Sequence, residues 1–168
     1  MKIFLVGFMG SGKTYWGKQL SEKLKLPFFD LDAQIESHEG KSINQLFDEH
    51  GEEHFRLLEK DTLHIITESH ESFIMATGGG TPCYFNNIEY MNTTGTTVWI
   101  NTPVEVLLER LVKEKDHRPL LKDLDEDQIK RFILKKYSDR KIYYEKAKVF
   151  IAEESKIIET IVEKIFHA

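Results

Sequence analysis

Residues 7–14 read Gly7-Phe8-Met9-Gly10-Ser11-Gly12-Lys13-Thr14, and they follow the apolar run Ile3-Phe4-Leu5-Val6 directly. Gly7, Gly12, Lys13 and Thr14 stand at the spacing of a phosphate-binding loop between a strand and a helix. Each part has a physical task. Glycines let backbone N–H groups turn inward around a phosphate chain, where a Cβ would obstruct. A helix starting near Lys13 aims its positive dipole end at the same anion. The Lys13 ammonium reaches β- and γ-phosphates, and the Thr14 hydroxyl suits Mg2+. Residues 15–25 can form the helix that the loop requires. The alternative, a glycine-rich turn that binds no nucleotide, fits the full match in this context poorly.

The 168 residues suit one domain with a real core, and 40% hydrophobic with 30% charged residues is an ordinary globular composition. A net charge of −5 predicts no general basic surface for nucleic acid or anionic membrane. Any anionic ligand must then be held by locally placed Lys and Arg. The one cysteine, Cys83, excludes an intramolecular disulfide and fits a reducing cytoplasm. No apolar run approaches membrane-spanning length, and the first residues enter a strand with no signal-peptide pattern. Repeats, low-complexity tracts and long linkers are absent from the sequence, so residues 1–168 read as a single domain.

Strands are expected over residues 2–6, 27–29, 73–76, 96–100 and 148–151, mostly short apolar or β-branched runs. Helical patterns separate them. Ser42-Ile43-Asn44-Gln45 reads as a capping box opening a helix. Thr102-Pro103-Val104-Glu105 reads as another, with proline at the first helical position. Leu107, Leu108, Leu111 and Val112 share one helical face, and Ile157, Ile158, Ile161, Val162, Ile165 and Phe166 form a closing stripe read as core. Alternating strands and helices predict a parallel, doubly wound α/β sheet, whose ligands bind at the carboxyl ends of the strands.

Several informative residues do follow strands. Asp30 and Asp32 in Phe28-Phe29-Asp30-Leu31-Asp32 can divide labour, one holding Mg2+ through water and the other orienting a hydroxyl nucleophile; alternatively, Asp32 is a plain helix N-cap. Arg56 and Glu59 lie one helical turn apart, either as a solvated pair or as an arginine aimed into a pocket and oriented by its partner. Gly78-Gly79-Gly80 let backbone approach a ligand closely, or form a flexible turn. Residues 113–123 break the helical periodicity and carry many charges, as a lid closing over nucleotide or an exposed loop would; in a lid, Arg118 would stabilise phosphate charge. Arg140, with Tyr144 four residues on, is uninformative alone.

Taken in order, the phosphate loop, Asp30-Leu31-Asp32, Phe55-Arg56-x-x-Glu59, Gly78-Gly79-Gly80, Arg118-Pro119-Leu120-Leu121 and Arg140-x-x-x-Tyr144 resemble the shikimate kinase family along nearly the whole chain. The resemblance implies a three-layer, P-loop nucleoside-monophosphate-kinase-like α/β fold. That fold has a central five-stranded parallel sheet, helices on both faces, a mobile lid near 113–123 and a substrate-binding segment near 31–60. It implies a mostly monomeric, cytoplasmic enzyme that transfers the ATP γ-phosphoryl group to the 3-hydroxyl of shikimate, on the route to chorismate and aromatic amino acids. It also implies roles. Gly10, Ser11, Gly12, Lys13, Thr14 and Tyr15 wrap the ATP phosphates; Thr14 ligates Mg2+ and Asp30 helps through water. Asp32 binds shikimate hydroxyls and is the candidate base. Arg56 and Arg140 hold the carboxylate, Glu59 orients Arg56, and the triple glycine touches substrate. Lys13 and Arg118 supply positive charge to the transfer.

The sequence departs from the family pattern after the last strand, where Ala152-Glu153-Glu154-Ser155-Lys156 lacks the arginine that often meets adenine, and at Tyr15 and Trp16, where smaller residues are common. A gluconate kinase of the same fold and an inactive nucleotide-binding relative are the rival readings. A GTP-binding switch is disfavoured because no Asn-Lys-x-Asp motif is present. His50 and His54 lack the order of a zinc-protease motif and read as a solvated helix end.

Overall fold

The computed structural model describes residues 1–118 and 120–168. Among them the chain runs β1 (Lys2–Val6), α1 (Lys13–Leu24), β2 (Phe28–Asp30), α2 (Leu31–Glu39), α3 (Ile43–Ser69), β3 (Phe73–Ala76), α4 (Asn87–Thr94), β4 (Thr96–Ile100), α5 (Val104–Glu114), α6 (Glu126–Tyr144), β5 (Val149–Ile151) and α7 (Ile158–Phe166). The five strands form one parallel sheet in the order β2-β3-β1-β4-β5.

Alternation along the strands sorts side chains onto two faces. Ile3, Leu5, Ile74, Val98 and Ile100 pack with Leu20 of α1 and Ile161 and Ile165 of α7. Phe4, Val6, Phe73, Met75 and Trp99 face the opposite way, toward α2 through α6, where Tyr144 is fully buried. The closing stripe is narrower than its sequence pattern: Ile157 and Phe166 each remain 56% exposed.

Local chemistry shifts three expected boundaries. Lys148 donates its N–H to Thr97 Oγ1 at 2.9 Å, and the last strand starts one residue later. Pro27 has no N–H to give a ladder; its carbonyl still accepts from Ile74, and β2 extends instead to Asp30, opposite Ala76. The expected capping box at Thr102 is not formed. Pro103 occupies the N-cap and the helix begins at Val104. The Thr102 hydroxyl donates to Ser11 O at 3.3 Å and accepts from Lys156 Nζ at 2.5 Å. The Ser42 box forms as expected, with Gln45 closing it. Helix α3 is interrupted at Gly51, whose φ of 81° is left-handed. None of the described helices is long and apolar enough to cross a membrane.

Because every strand points the same way, the segments after all five converge on one edge of the sheet. Those after β1, β2, β3 and β5 line a cleft of about 690 Å³ walled by Gly10–Trp16, Asp30, Asp32, Thr77–Gly79 and Lys156, with Arg110, Glu114 and Arg118 at the α5 end.

Candidate active site

Gly7 turns the chain out of β1 at φ +146°, and a Cβ there would stand 2.7 Å from Ile100 O. Gly12 caps α1 in the left-handed region, with no side-chain cap. The first N–H groups of a helix lack intrahelical partners, so the loop presents a row of donors to the cleft. Ser11 is buried and, among the described residues, its hydroxyl has no partner. Lys13 folds back over the loop, donating to Gly7 O at 2.7 Å and Phe8 O at 3.0 Å. Burial pulls its pKa down to about 8; Asp32 works in the other direction. The ammonium is held inside the loop by backbone carbonyls alone among the described residues. Tyr15 continues the wall and is 60% exposed.

Asp30, at the end of β2, is the helix cap that the sequence had offered to Asp32. Its Oδ1 accepts from Ala33 N at 3.1 Å and its Oδ2 from Thr14 Oγ1 at 3.1 Å. Asp32 therefore sits in the first turn of α2 and turns to the triple glycine, where a Cβ on Gly78 would stand 3.3 Å from its Oδ1. Burial, reinforced by Glu59 and Asp30, pushes the Asp32 pKa up to about 6, against the pull of Lys13. A carboxylate in that range is a competent proton acceptor near neutral pH. Thr14 and Asp30 offer one hydroxyl and one carboxylate oxygen side by side. Such sparse, hard ligation suits Mg2+ when phosphates and waters complete its shell, so these residues fit the ion.

The anion pocket is built on the glycines. Arg56 is buried, and its Nη1 donates to fully buried Glu59 Oε1 at 2.9 Å, while Nη2 reaches Glu52 Oε1 at 3.4 Å. Burial opposes the Arg56 charge, but Glu59, Tyr84 and Glu52 together outweigh it and the net shift is upward, so the guanidinium stays charged. The Tyr84 ring lies over that guanidinium, 4.3 Å to its centroid. A Cβ on Gly80 would stand 2.6 Å from Arg56 Nη2, and one on Gly79 3.0 Å from Arg140 Nη1. Two guanidiniums therefore close on adjacent glycines, which any side chain would push apart. Arg140 comes from α6 and lies over Phe8, 5.7 Å to the ring centroid. Four residues on, the Tyr144 hydroxyl donates to Gly79 O at 2.6 Å and anchors the turn to the same helix. Arg118 follows a short 3-10 turn over Lys115–His117 after α5 and is paired with Glu114 through Nε at 3.1 Å and Nη2 at 2.9 Å. Pro119 of the expected Arg118-Pro119-Leu120-Leu121 motif lies outside the described residues, while Leu121 is fully buried.

The site thus joins a glycine-rich loop holding Lys13, a raised-pKa aspartate and two arginines set against a triple glycine. The sequence model of the family described as shikimate kinase matches residues 9–168. The chain belongs to the shikimate kinase family. A shikimate kinase of Azobacteroides pseudotrichonymphae is 41% identical over 164 residues, covering 98% of this chain and 96% of that protein. The crystal structure of shikimate kinase from Bacteroides thetaiotaomicron superposes with a TM-score of 0.88 at 38% identity, covering 99% of this chain and 95% of that one. Shikimate kinase from Acinetobacter baumannii, in complex with shikimate, superposes with a TM-score of 0.84 at 33% identity, covering 99% and 90%. The activity of this chain is that of its family, ATP-dependent phosphorylation of shikimate, which sets aside the gluconate kinase and inactive-relative readings.

Within the family frame, two cleft residues escape sequence reasoning. Arg110 donates through Nη1 to Gly10 O at 2.9 Å and pairs with Glu153 at 3.7 Å. Lys156 reaches Thr102 Oγ1 and Glu153 Oε2, both at 2.5 Å, across the floor of the cleft. The acidic segment after β5 therefore receives its cations from α5 and from its own last residue. The available signal was Arg110 itself, three residues after core Leu107 and so at the border of the apolar face of α5.

Proposed function

We propose that the cleft transfers the γ-phosphoryl group of ATP to the 3-hydroxyl of shikimate, giving ADP and shikimate 3-phosphate on the route to chorismate. The observation that carries this assignment is the triple glycine, with the Arg56 guanidinium against Gly80, that of Arg140 against Gly79 and the Asp32 carboxylate against Gly78. A carboxylate bound bidentately there would present its ring hydroxyls to Asp32. The backbone of Gly10–Tyr15 and the Lys13 ammonium hold the phosphate chain. Thr14 would ligate Mg2+, with Asp30 helping through water, and the bound ion would offset charge on the phosphate oxygens. Asp32 orients the attacking hydroxyl and accepts its proton at a carboxylate oxygen. Glu59 orients Arg56 through Nη1, and Gly78–Gly80 keep the backbone close to the ring.

The chemistry is then mostly positioning and charge. Lys13 and Arg118 supply cations toward the transferring group. Arg118, now paired with Glu114, would exchange that partner for phosphate, which supports reading the segment near 113–123 as a lid that closes over ATP and excludes water. The chain works as a monomer in the reducing cytoplasm that its single cysteine suits.

Arg140→Ala tests the carboxylate assignment. It should raise the shikimate KM about 10- to 100-fold, the loss of a charge-assisted pair, and leave the MgATP KM within about twofold. Steady-state kinetics with each substrate varied in turn reads both. An unchanged shikimate KM would remove Arg140 from the pocket.

A further inference from the structure

Thr81 is fully buried directly after the triple glycine, and its hydroxyl ignores the nearby backbone to donate to Glu59 Oε2 at 2.7 Å, 22 residues away. The two Glu59 oxygens therefore have different partners, Arg56 on Oε1 and Thr81 on Oε2. Thr81 is itself fixed from both sides. Its N–H donates to Gly78 O at 3.1 Å, and its carbonyl accepts from Nδ2 of fully buried Asn87 at 3.0 Å. Pro82 follows, with φ locked by its ring. The hydroxyl is thus preorganised rather than merely adjacent. A Cβ on Gly78 would stand 3.1 Å from both Glu59 Oε2 and Thr81 Oγ1, so the turn shapes itself around this contact.

A carboxylate held at one oxygen can pivot about that bond; held at both, it cannot. Among the described residues Glu59 is the closer anionic partner of Arg56, at 2.9 Å against 3.4 Å for Glu52, so the position of its Oε1 is the tighter restraint on the guanidinium. Glu52 is 49% exposed along its side chain and much less constrained. We propose that Thr81 is a positioning residue for substrate recognition: its hydroxyl locks Glu59, and Glu59 holds Arg56 at the angle that receives the substrate carboxylate. The inference rests on the assignment of Arg56 to that carboxylate.

Thr81→Val keeps the shape and removes the donor, Thr81→Ser keeps the donor, and Arg56→Lys keeps the charge but not the planar fork. Steady-state kinetics and thermal melting are measured for the three variants and the parent chain. Thr81→Val should raise the shikimate KM about tenfold, leave the MgATP KM within about twofold, and be rescued by Thr81→Ser. A shikimate KM within twofold of the parent in Thr81→Val, with a raised one in Arg56→Lys, overturns the relay alone. An unchanged KM in both overturns the carboxylate assignment, and the relay with it. Equal rises in both substrate KM values, with a lowered melting temperature, would make Thr81 a packing residue and overturn the proposal. So would a failure of Thr81→Ser to rescue.

Discussion

Asp32→Asn should lower kcat at least about 100-fold while leaving MgATP affinity within about threefold, because Asn retains the shape but cannot accept the hydroxyl proton. The same substitution should stabilise the fold, with a defined pH dependence. The folded-state pKa of Asp32 is raised from the ordinary 3.8 to about 6. A group raised on folding favours the folded state fully below its unfolded value, and that contribution is lost as pH rises through the folded value. Above pH 6 the protein therefore carries a buried charge, next to Glu59 and Asp30, that costs it stability. At about 1.4 kcal/mol per pKa unit, removing the charge yields at most about 3 kcal/mol at pH 8 and next to nothing at about pH 3, below the unfolded value. Melting curves of parent and variant across that range check the sign. In the parent, kcat/KM for shikimate should fall below pH 6, well above the ordinary carboxylate range. A variant with near-parental turnover, or with no stability gain at pH 8, would contradict this account of Asp32.

Arg56→Ala should be costly twice, in binding and in folding. Glu59 is fully buried and would lose its closest cationic partner. Removing one member of a buried pair costs about 3–5 kcal/mol, roughly 10 °C in melting temperature for a chain of this length. The two losses can be separated. Arg56→Met with Glu59→Gln removes both charges, and should recover most of the melting temperature while the shikimate KM stays raised at least about tenfold. Differential scanning calorimetry and kinetics on the single and double variants read the two effects independently. If the double variant bound shikimate like the parent, Arg56 would have a purely structural role.

The fold was legible because its signals are local. The five strands announce themselves mostly as short apolar or β-branched runs, and the phosphate loop ties the first of them to the helix after it. What escaped depends on competition between equally good local partners. Asp30 and Asp32 are both able caps, and Asp30 takes the role because Thr14 already holds its other oxygen. Thr102 has the spacing of a capping box, but Ser11 and Lys156, distant in sequence, claim its hydroxyl. Arg110 and Lys156 join the cleft only because parallel strands bring the segment after β5 against α5 and the phosphate loop. Spacing cannot show such crossings. Spacing alone leaves Arg56 and Glu59 open between a solvated helical pair and an arginine aimed into a pocket; the burial of both, and the glycines pressed against them, are tertiary facts.

The central claim is that the two-arginine pocket and Asp32 together select shikimate as the phosphoryl acceptor. ADP release from MgATP, followed with shikimate, quinate and gluconate in parallel, tests it most directly. Strong stimulation by shikimate, with little by the other two acids, is the predicted result. Equal stimulation by gluconate, or ADP release that shikimate does not change, would contradict it.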